Sequence, residues 1–259
     1  MSNKSVVIIP ARYASTRLPR KLLLNETGKP LIQYTYEAAL KARLPELVLV
    51  ACDHAEILTA VEHFGGTVLM TNPNAQSGTD RVAEVAANME QVDIVVNVQG
   101  DEPEIAGESI DHVIRLLIDH PRAATATLAT PIRNQQQLED PACVKVVFDH
   151  HQRALYFSRS VIPHPRSGIT TELLQREPPL FYQHIGLYAY RRDFLLSLTQ
   201  LPQSPPEKIE NLEQLRVLHY GFEIIVGVVN EPTFGIDTPE DYQRFVKKIT
   251  TNNSLTTNK

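Results

Sequence analysis

Two runs near the start of the chain, Val6-Val7-Ile8-Ile9 and Leu47-Val48-Leu49-Val50-Ala51-Cys52, are apolar at every position. A strand on a half-exposed sheet alternates apolar and polar side chains, so a run without alternation must be buried on both faces. Helices covering both sides of a parallel sheet meet that demand. The segments between the runs are helical in pattern. Leu31 to Ala42 reads as a helix, and His54 to Phe64 as another that stops at Gly65-Gly66. Thr67 to Met70 is a short strand. Ser77 and Asp80 have capping-box spacing and open a helix to about Asn88. Ile94 to Val98 is a third interior strand, followed by a helix over Ser109 to His120. This βαβα succession predicts an α/β fold whose sheet is mainly parallel and flanked by helices.

Past Ala123 the pattern changes. Thr125 to Thr130, Val144 to Phe148, Ala154 to Ser158 and His184 to Tyr190 read as strands without long helices between them. Residues 161–180, with Pro163, Pro165, Pro178 and Pro179, read as a long ordered loop or lid. Ser204-Pro205-Pro206-Glu207 is a capping box opening a helix to His219, with Ile209, Leu212, Leu215 and Leu218 inward. Glu223 to Val229 is a strand. Thr238-Pro239-Glu240-Asp241 caps a last helix with the apolar stripe Tyr242, Phe245, Val246 and Ile249. One domain over residues 1–250 is expected, with a small mixed β-rich elaboration at about 125–190 and a frayed polar tail at 251–259.

Hydrophobic residues at 42% and charged residues at 21% suit a globular chain with a sizeable core. No apolar run approaches the ~20 residues that span a membrane. The start runs directly into a strand, which leaves no room for a secretory signal. Cys52 and Cys143 have no paired spacing, which suits a reducing cytosol and disfavours a structural zinc site.

The candidate chemistry gathers where strands end. The first strand opens into a loop carrying Arg12, Arg17, Arg20 and Lys21 with no acid among them, in a chain of net charge −5. Ligands of open α/β sheets sit at the carboxyl ends of strands. The loop therefore reads either as a site for a polyanion such as a nucleoside triphosphate or as a solvated basic loop. The acidic balance and the lack of a basic stripe elsewhere argue against nucleic acid. Asp101 follows an interior strand and a glycine, a position suited to a magnesium ligand or to a turn before Pro103. Asp237 is a second carboxylate or an extra charge at a helix start. Ser77-Gly78-Thr79-Asp80-Arg81 could hold a base edge or a phosphate at a helix start. No Gly-x-Gly-x-x-Gly and no Gly-Lys-Ser/Thr loop occurs. Arg159, Arg166, His184 and Tyr188 surround the proline-rich loop. Glu213-Gln214 read as the polar side of an amphipathic helix, with Glu213 spaced to pair with Arg216. Nothing suggests a nucleophile for a covalent intermediate.

Several segments together resemble one family, the 3-deoxy-manno-octulosonate (Kdo) cytidylyltransferases, over about Val6 to Phe245. They are Ile9-Pro10-Ala11-Arg12-Tyr13-Ala14-Ser15-Thr16-Arg17-Leu18-Pro19 with Lys21, Gln76 to Arg81, Asn97-Val98-Gln99-Gly100-Asp101-Glu102-Pro103, Ala154 to Arg159, His184 to Tyr188, Glu213 to Leu218, and Gly235 to Asp241. The resemblance implies a Rossmann-like nucleotidyltransferase sheet and a magnesium-dependent reaction of CTP with Kdo, giving CMP-Kdo and diphosphate for lipopolysaccharide synthesis. It implies that Arg12, Ser15 and Lys21 hold the triphosphate and that Ser77 and Gln99 line the cytidine side. Asp101 and Asp237 would bind metal. Arg159, Arg166, His184, Tyr188, Glu213 and Gln214 would face the sugar acid. A homodimer through the strands of 144–190 is also implied. The family pattern Leu-Pro-Gly-Lys-Pro is here Leu18-Pro19-Arg20-Lys21-Leu22. A glycine serving a positive φ would leave Arg20 strained; otherwise Arg20 simply adds charge beside Lys21. Glu102 after the first metal Asp favours Kdo over its 8-amino analogue. A sialic-acid cytidylyltransferase, a non-catalytic nucleotide-binding protein and a glycosyltransferase are the competing readings.

Overall fold

The computed structural model describes residues 3–230 and 234–256, with side chains through 251. The chain divides into two compact units, one formed by residues up to Asp111 together with the C-terminal segment, the other by His112–Pro232.

The first unit holds β1 (Ser5–Ala11), α1 (Leu31–Ala39), β2 (Leu47–Cys52), α2 (Ala55–His63), β3 (Val68–Met70), α3 (Gly78–Ala87) and β4 (Ile94–Asn97). The strands lie in the order β3-β2-β1-β4, all parallel, with Val6 opposite both Leu47 and Val95. The uninterrupted apolar runs are the interior strands: Val7, Ile8, Ile9, Leu49 and Val50 are fully buried. Helix starts follow the sequence signals. The Ser77 hydroxyl accepts from Asp80 N at 3.1 Å, and His54 caps α2. The division between units falls inside the next helix, α4 (Gly107–Asp119).

The second unit holds β5 (Thr125–Pro131), α5 (Gln135–Glu139), β6 (Lys145–Phe148), β7 (Ala154–Ser158), α6 (Thr171–Gln175), β8 (Tyr182–Arg191), α7 (Arg192–Leu198), α8 (Pro205–Glu210), α9 (Gln214–His219) and β9 (Ile224–Val228). Its sheet is mixed. β5 pairs antiparallel with β8 and parallel with β9, and the β6–β7 hairpin joins β8 at Lys145. A mainly parallel sheet with a mixed β-rich part is thus what the chain forms. The 161–180 segment is ordered and carries α6, whose Leu174 is buried with Ile132, Leu138, Cys143 and Phe181.

One expected helix is two. The Ser204 box forms with Glu207, but Asn211 adopts a left-handed conformation (φ 52°, ψ 51°) and ends α8. Because α9 starts afresh, the apolar phase does not carry across. Ile209, expected inward, is 86% exposed, whereas Gln214, expected on the polar side, is buried.

The C-terminal segment returns to the first unit as α10 (Pro239–Thr256), which runs into the stretch expected to be frayed. Residues 257–259 of that expected tail lie outside the described residues. The stripe Tyr242, Phe245, Val246 and Ile249 packs with Leu18, Leu31 and Ile236. This cluster fixes the N-terminal basic loop beside the start of α10. Among the described residues no helix is long and apolar enough to cross a membrane.

Candidate active site

In the first unit, two carboxylates far apart in sequence meet on one ammonium. Gly100 places Asp101: a Cβ at residue 100 would lie 3.0 Å from the Pro10 carbonyl, tighter than an ordinary contact, so a glycine eases the close passage of the turn after β4 past β1. Ile236 N donates to the Asp101 carbonyl at 2.9 Å, which ties the approach to α10 to the same turn. Leu18 and Ile236 share the cluster above, so Arg17 and Asp237 face each other at 2.9 Å. Lys21 opens a 3-10 turn and points its Nζ at Asp101 (2.5 Å) and Asp237 (3.0 Å). The Lys21 side chain is only 11% exposed. Asp241 accepts from the main-chain N–H groups of Asp237 and Thr238, just ahead of α10, while the Asp237 carboxylate is left to the cations.

Arg12 differs from its neighbours. It is exposed and has no carboxylate partner among the described residues. Ser15 lies partly exposed in the same loop. The loop's base is anchored through Tyr13 N, which donates to Asp53 at 2.8 Å; Asp53 in turn pairs with buried Arg81 at 3.1 Å. Arg81 is thus a buried support for the loop. Ser77 closes its cap by also donating to Asp80 at 2.9 Å, and Gln99 donates to Asn97 at 3.4 Å. Glu102 is buried, and its Oε2 has no partner among the described residues. Burial, helped by the Asp101 charge, pushes its carboxyl up to about 8.

Two carboxylates converging on one cation are the donor set a magnesium ion uses, with phosphate oxygens and water completing its shell. Among the described residues no set of three or more His, Cys, Asp or Glu could hold a metal, so an all-protein cage is not what these side chains form. The residues present fit magnesium shared with a phosphate ligand.

In the second unit, His184 and Tyr188 face one another on β8, ring centroids 5.3 Å apart. His184 Nε2 lies 3.0 Å from the Thr127 hydroxyl, which donates to the carbonyls of Ile185 and Leu187. The hydroxyl therefore accepts from Nε2–H, leaving Nδ1 as an acceptor. Burial holds this imidazole down at about 3, so it is neutral at physiological pH. The Tyr188 hydroxyl is buried and has no partner among the described residues; burial, with Tyr190 and Glu213 nearby, holds it protonated.

Arg159 is already engaged. Its three nitrogens donate to the carbonyls of Glu210, Pro141 and Asn211. Arg166 stands exposed in the 161–180 loop. Glu213 precedes α9 and is partly buried. Arg216 sends its guanidinium to buried Glu207 at 2.5 and 2.9 Å. Sequence reasoning missed Lys145, which is fully buried and donates to the carbonyls of Asp140, Cys143 and Arg159 at 2.6–2.9 Å. Its signal was available: a lone cation between Val144 and Val146 in an apolar run.

Comparison with known proteins gives a consistent picture. A family model described as cytidylyltransferase matches residues 6–225. A 3-deoxy-manno-octulosonate cytidylyltransferase of Rhodopirellula baltica is 50% identical over 95% of this chain and 98% of its own length. One from Geobacter metallireducens is 45% identical, covering 95% and 98%. A solved structure of CMP:2-keto-3-deoxy-manno-octonic acid synthetase complexed with CTP superposes with TM-score 0.88 at 42% identity. That match covers 96% of this chain and 99% of the other.

Proposed function

The chain belongs to the 3-deoxy-manno-octulosonate cytidylyltransferase family, and we propose that it converts CTP and Kdo to CMP-Kdo and diphosphate. The observation that carries this reading is the meeting of Asp101 and Asp237 on Lys21, in a loop whose Arg12 is exposed and has no carboxylate partner among the described residues.

The anomeric hydroxyl of Kdo attacks the α-phosphorus in line, and diphosphate leaves. Positioning and charge neutralisation account for most of the rate. Arg12 meets the triphosphate without first giving up an ion pair. Arg17 and Lys21 exchange carboxylate oxygens for phosphate oxygens. Magnesium held by Asp101 and Asp237 supplies, when bound, the positive charge that the phosphates and the departing diphosphate require. Ser15 extends the phosphate cradle, and Ser77 and Gln99 line the cytidine side.

The sugar acid is received by the second unit. Arg166 is the exposed cation for its carboxylate. Tyr188 offers a phenol hydroxyl already stripped of water, and neutral His184 offers Nδ1 to a sugar hydroxyl. Arg159, Glu213 and Gln214 complete this face, with Arg159 acting through the loop carbonyls it gathers. The enzyme works in the cytosol as a homodimer. Free, buried Cys52 and Cys143 support the first point. The second is supported by Leu155, 61% exposed on β7, a strand that among the described residues pairs only with β6.

The test is diphosphate release from CTP, ATP, GTP and UTP, each with Kdo, 8-amino-Kdo or sialic acid. Release with CTP and Kdo is expected. Release with sialic acid alone, or with no acidic sugar, would overturn the assignment.

A further inference from the structure

Arg20 sits in the left-handed region at φ 53° and ψ 29°, immediately before the turn that delivers Lys21. A side chain there is strained relative to right-handed backbone, because its Cβ crowds the following carbonyl oxygen. Something in this chain must offset that strain, because Lys21 N and Leu23 N both bond back across the turn, to Leu18 and Arg20.

The offset is visible on the side chain. The Arg20 guanidinium pairs with Glu56 of α2 and lies over the Tyr13 ring, 5.6 Å from its centroid. The Tyr13 hydroxyl donates to the other Glu56 oxygen at 2.9 Å, and the Tyr13 ring stacks on His54 at 3.8 Å. Glu56 therefore grips the basic loop at both ends, at Tyr13 and at Arg20. Arg20 was expected either to be strained or to add charge beside Lys21. It is left-handed, and its charge is turned away to Glu56.

We propose that Glu56 is a positioning residue for the triphosphate loop, holding Arg20 left-handed so that Lys21 reaches the phosphates. This rests on the CTP-dependent reading of the site. Without Glu56 the turn relaxes toward right-handed backbone, and Lys21 leaves its place beside Asp101 and Asp237. A glycine at position 20 adopts the same φ without a penalty and needs no grip.

The experiment is a double-mutant cycle in the full-length protein with Glu56→Ala, Arg20→Gly and the pair, measuring KM for CTP, KM for Kdo and kcat. Glu56→Ala should raise KM for CTP about five-fold, with kcat and KM for Kdo within about two-fold, the scale of ~1 kcal/mol. Arg20→Gly in the same chain should return KM for CTP to within about two-fold of the starting protein, and Glu56→Gln should fall between. Thermal unfolding of each variant checks that the fold is kept. A Glu56→Ala variant with unchanged KM for CTP, or one that Arg20→Gly does not rescue, overturns the proposal while CTP turnover by the parent stands. Absence of CTP turnover in the parent removes both this proposal and the reading beneath it.

Discussion

The cations of the first unit's basic loop and the interior cations of the second unit are held differently. In the first, Arg17, Arg20 and Lys21 pair with carboxylates, the two arginines at the surface, and Arg12 has no acidic partner among the described residues. In the second, Lys145 and Arg159 are held by main-chain carbonyls, as is Arg191 by those of Ala123, Leu117 and His120. Arg216 is buried against Glu207. A carboxylate partner at an accessible edge can be exchanged for a phosphate. A carbonyl crown inside the fold cannot be given up without leaving buried acceptors unpaired. The partner of a cation, more than its charge, tells whether it serves a ligand or the chain.

The sharpest way to break that contrast is a pair of substitutions, one in each unit. Asp101→Asn should reduce CTP turnover about a thousand-fold or more while leaving thermal unfolding nearly unchanged. Glu207→Ala should do the reverse. It orphans buried Arg216 and removes a helix cap, costing about 3–5 kcal/mol by urea unfolding. If Asp101→Asn unfolds the protein or Glu207→Ala leaves stability untouched, the division of roles is wrong.

A smaller effect sharpens the claim that Lys21 stands where a metal would. Lys21→Gln removes the ammonium from between the carboxylates, so Mn2+ should bind the nucleotide-free protein about ten-fold more tightly, on the order of 1.4 kcal/mol. Titration calorimetry reads this, and equal or weaker binding contradicts it. In the second unit, His184 is neutral when folded, at about 3, and ordinary near 6.5 when unfolded. Its contribution to stability is complete above pH 6.5 and is lost as pH falls from there toward 3. Between pH 7 and 5.5 the parent should lose about 1.3 kcal/mol more than His184→Asn. Identical pH curves would refute it. Least of all, Ile209→Ser at an 86% exposed position should change stability by no more than about 0.5 kcal/mol, against the inward placement its spacing suggested.

Much of this was legible before any coordinates. β2 and β7 fall where their apolar runs fall, and the Ser77, Ser204 and Thr238 caps form as their spacing implies, because capping and strand burial are local or one-dimensional signals. Asp101 and Asp237 were readable as candidates but not as neighbours. Their meeting depends on Leu18 and Ile236 sharing a cluster and on a main-chain bond between Ile236 and Asp101. The break at Asn211 was hidden because one residue changing backbone region resets a helix without disturbing its composition. Lys145 showed in sequence only as a lone cation in an apolar run, and the Glu207–Arg216 pair was hidden because a charge in sequence looks alike whether water or a buried partner surrounds it.

The most direct test is a crystal structure with CTP and Mn2+, located by anomalous scattering. Manganese bridging Asp101 and Asp237, with the triphosphate on Arg12 and Lys21, is the predicted result. Nucleotide bound with Lys21 still clasped between the two aspartates, and manganese elsewhere, would contradict the account.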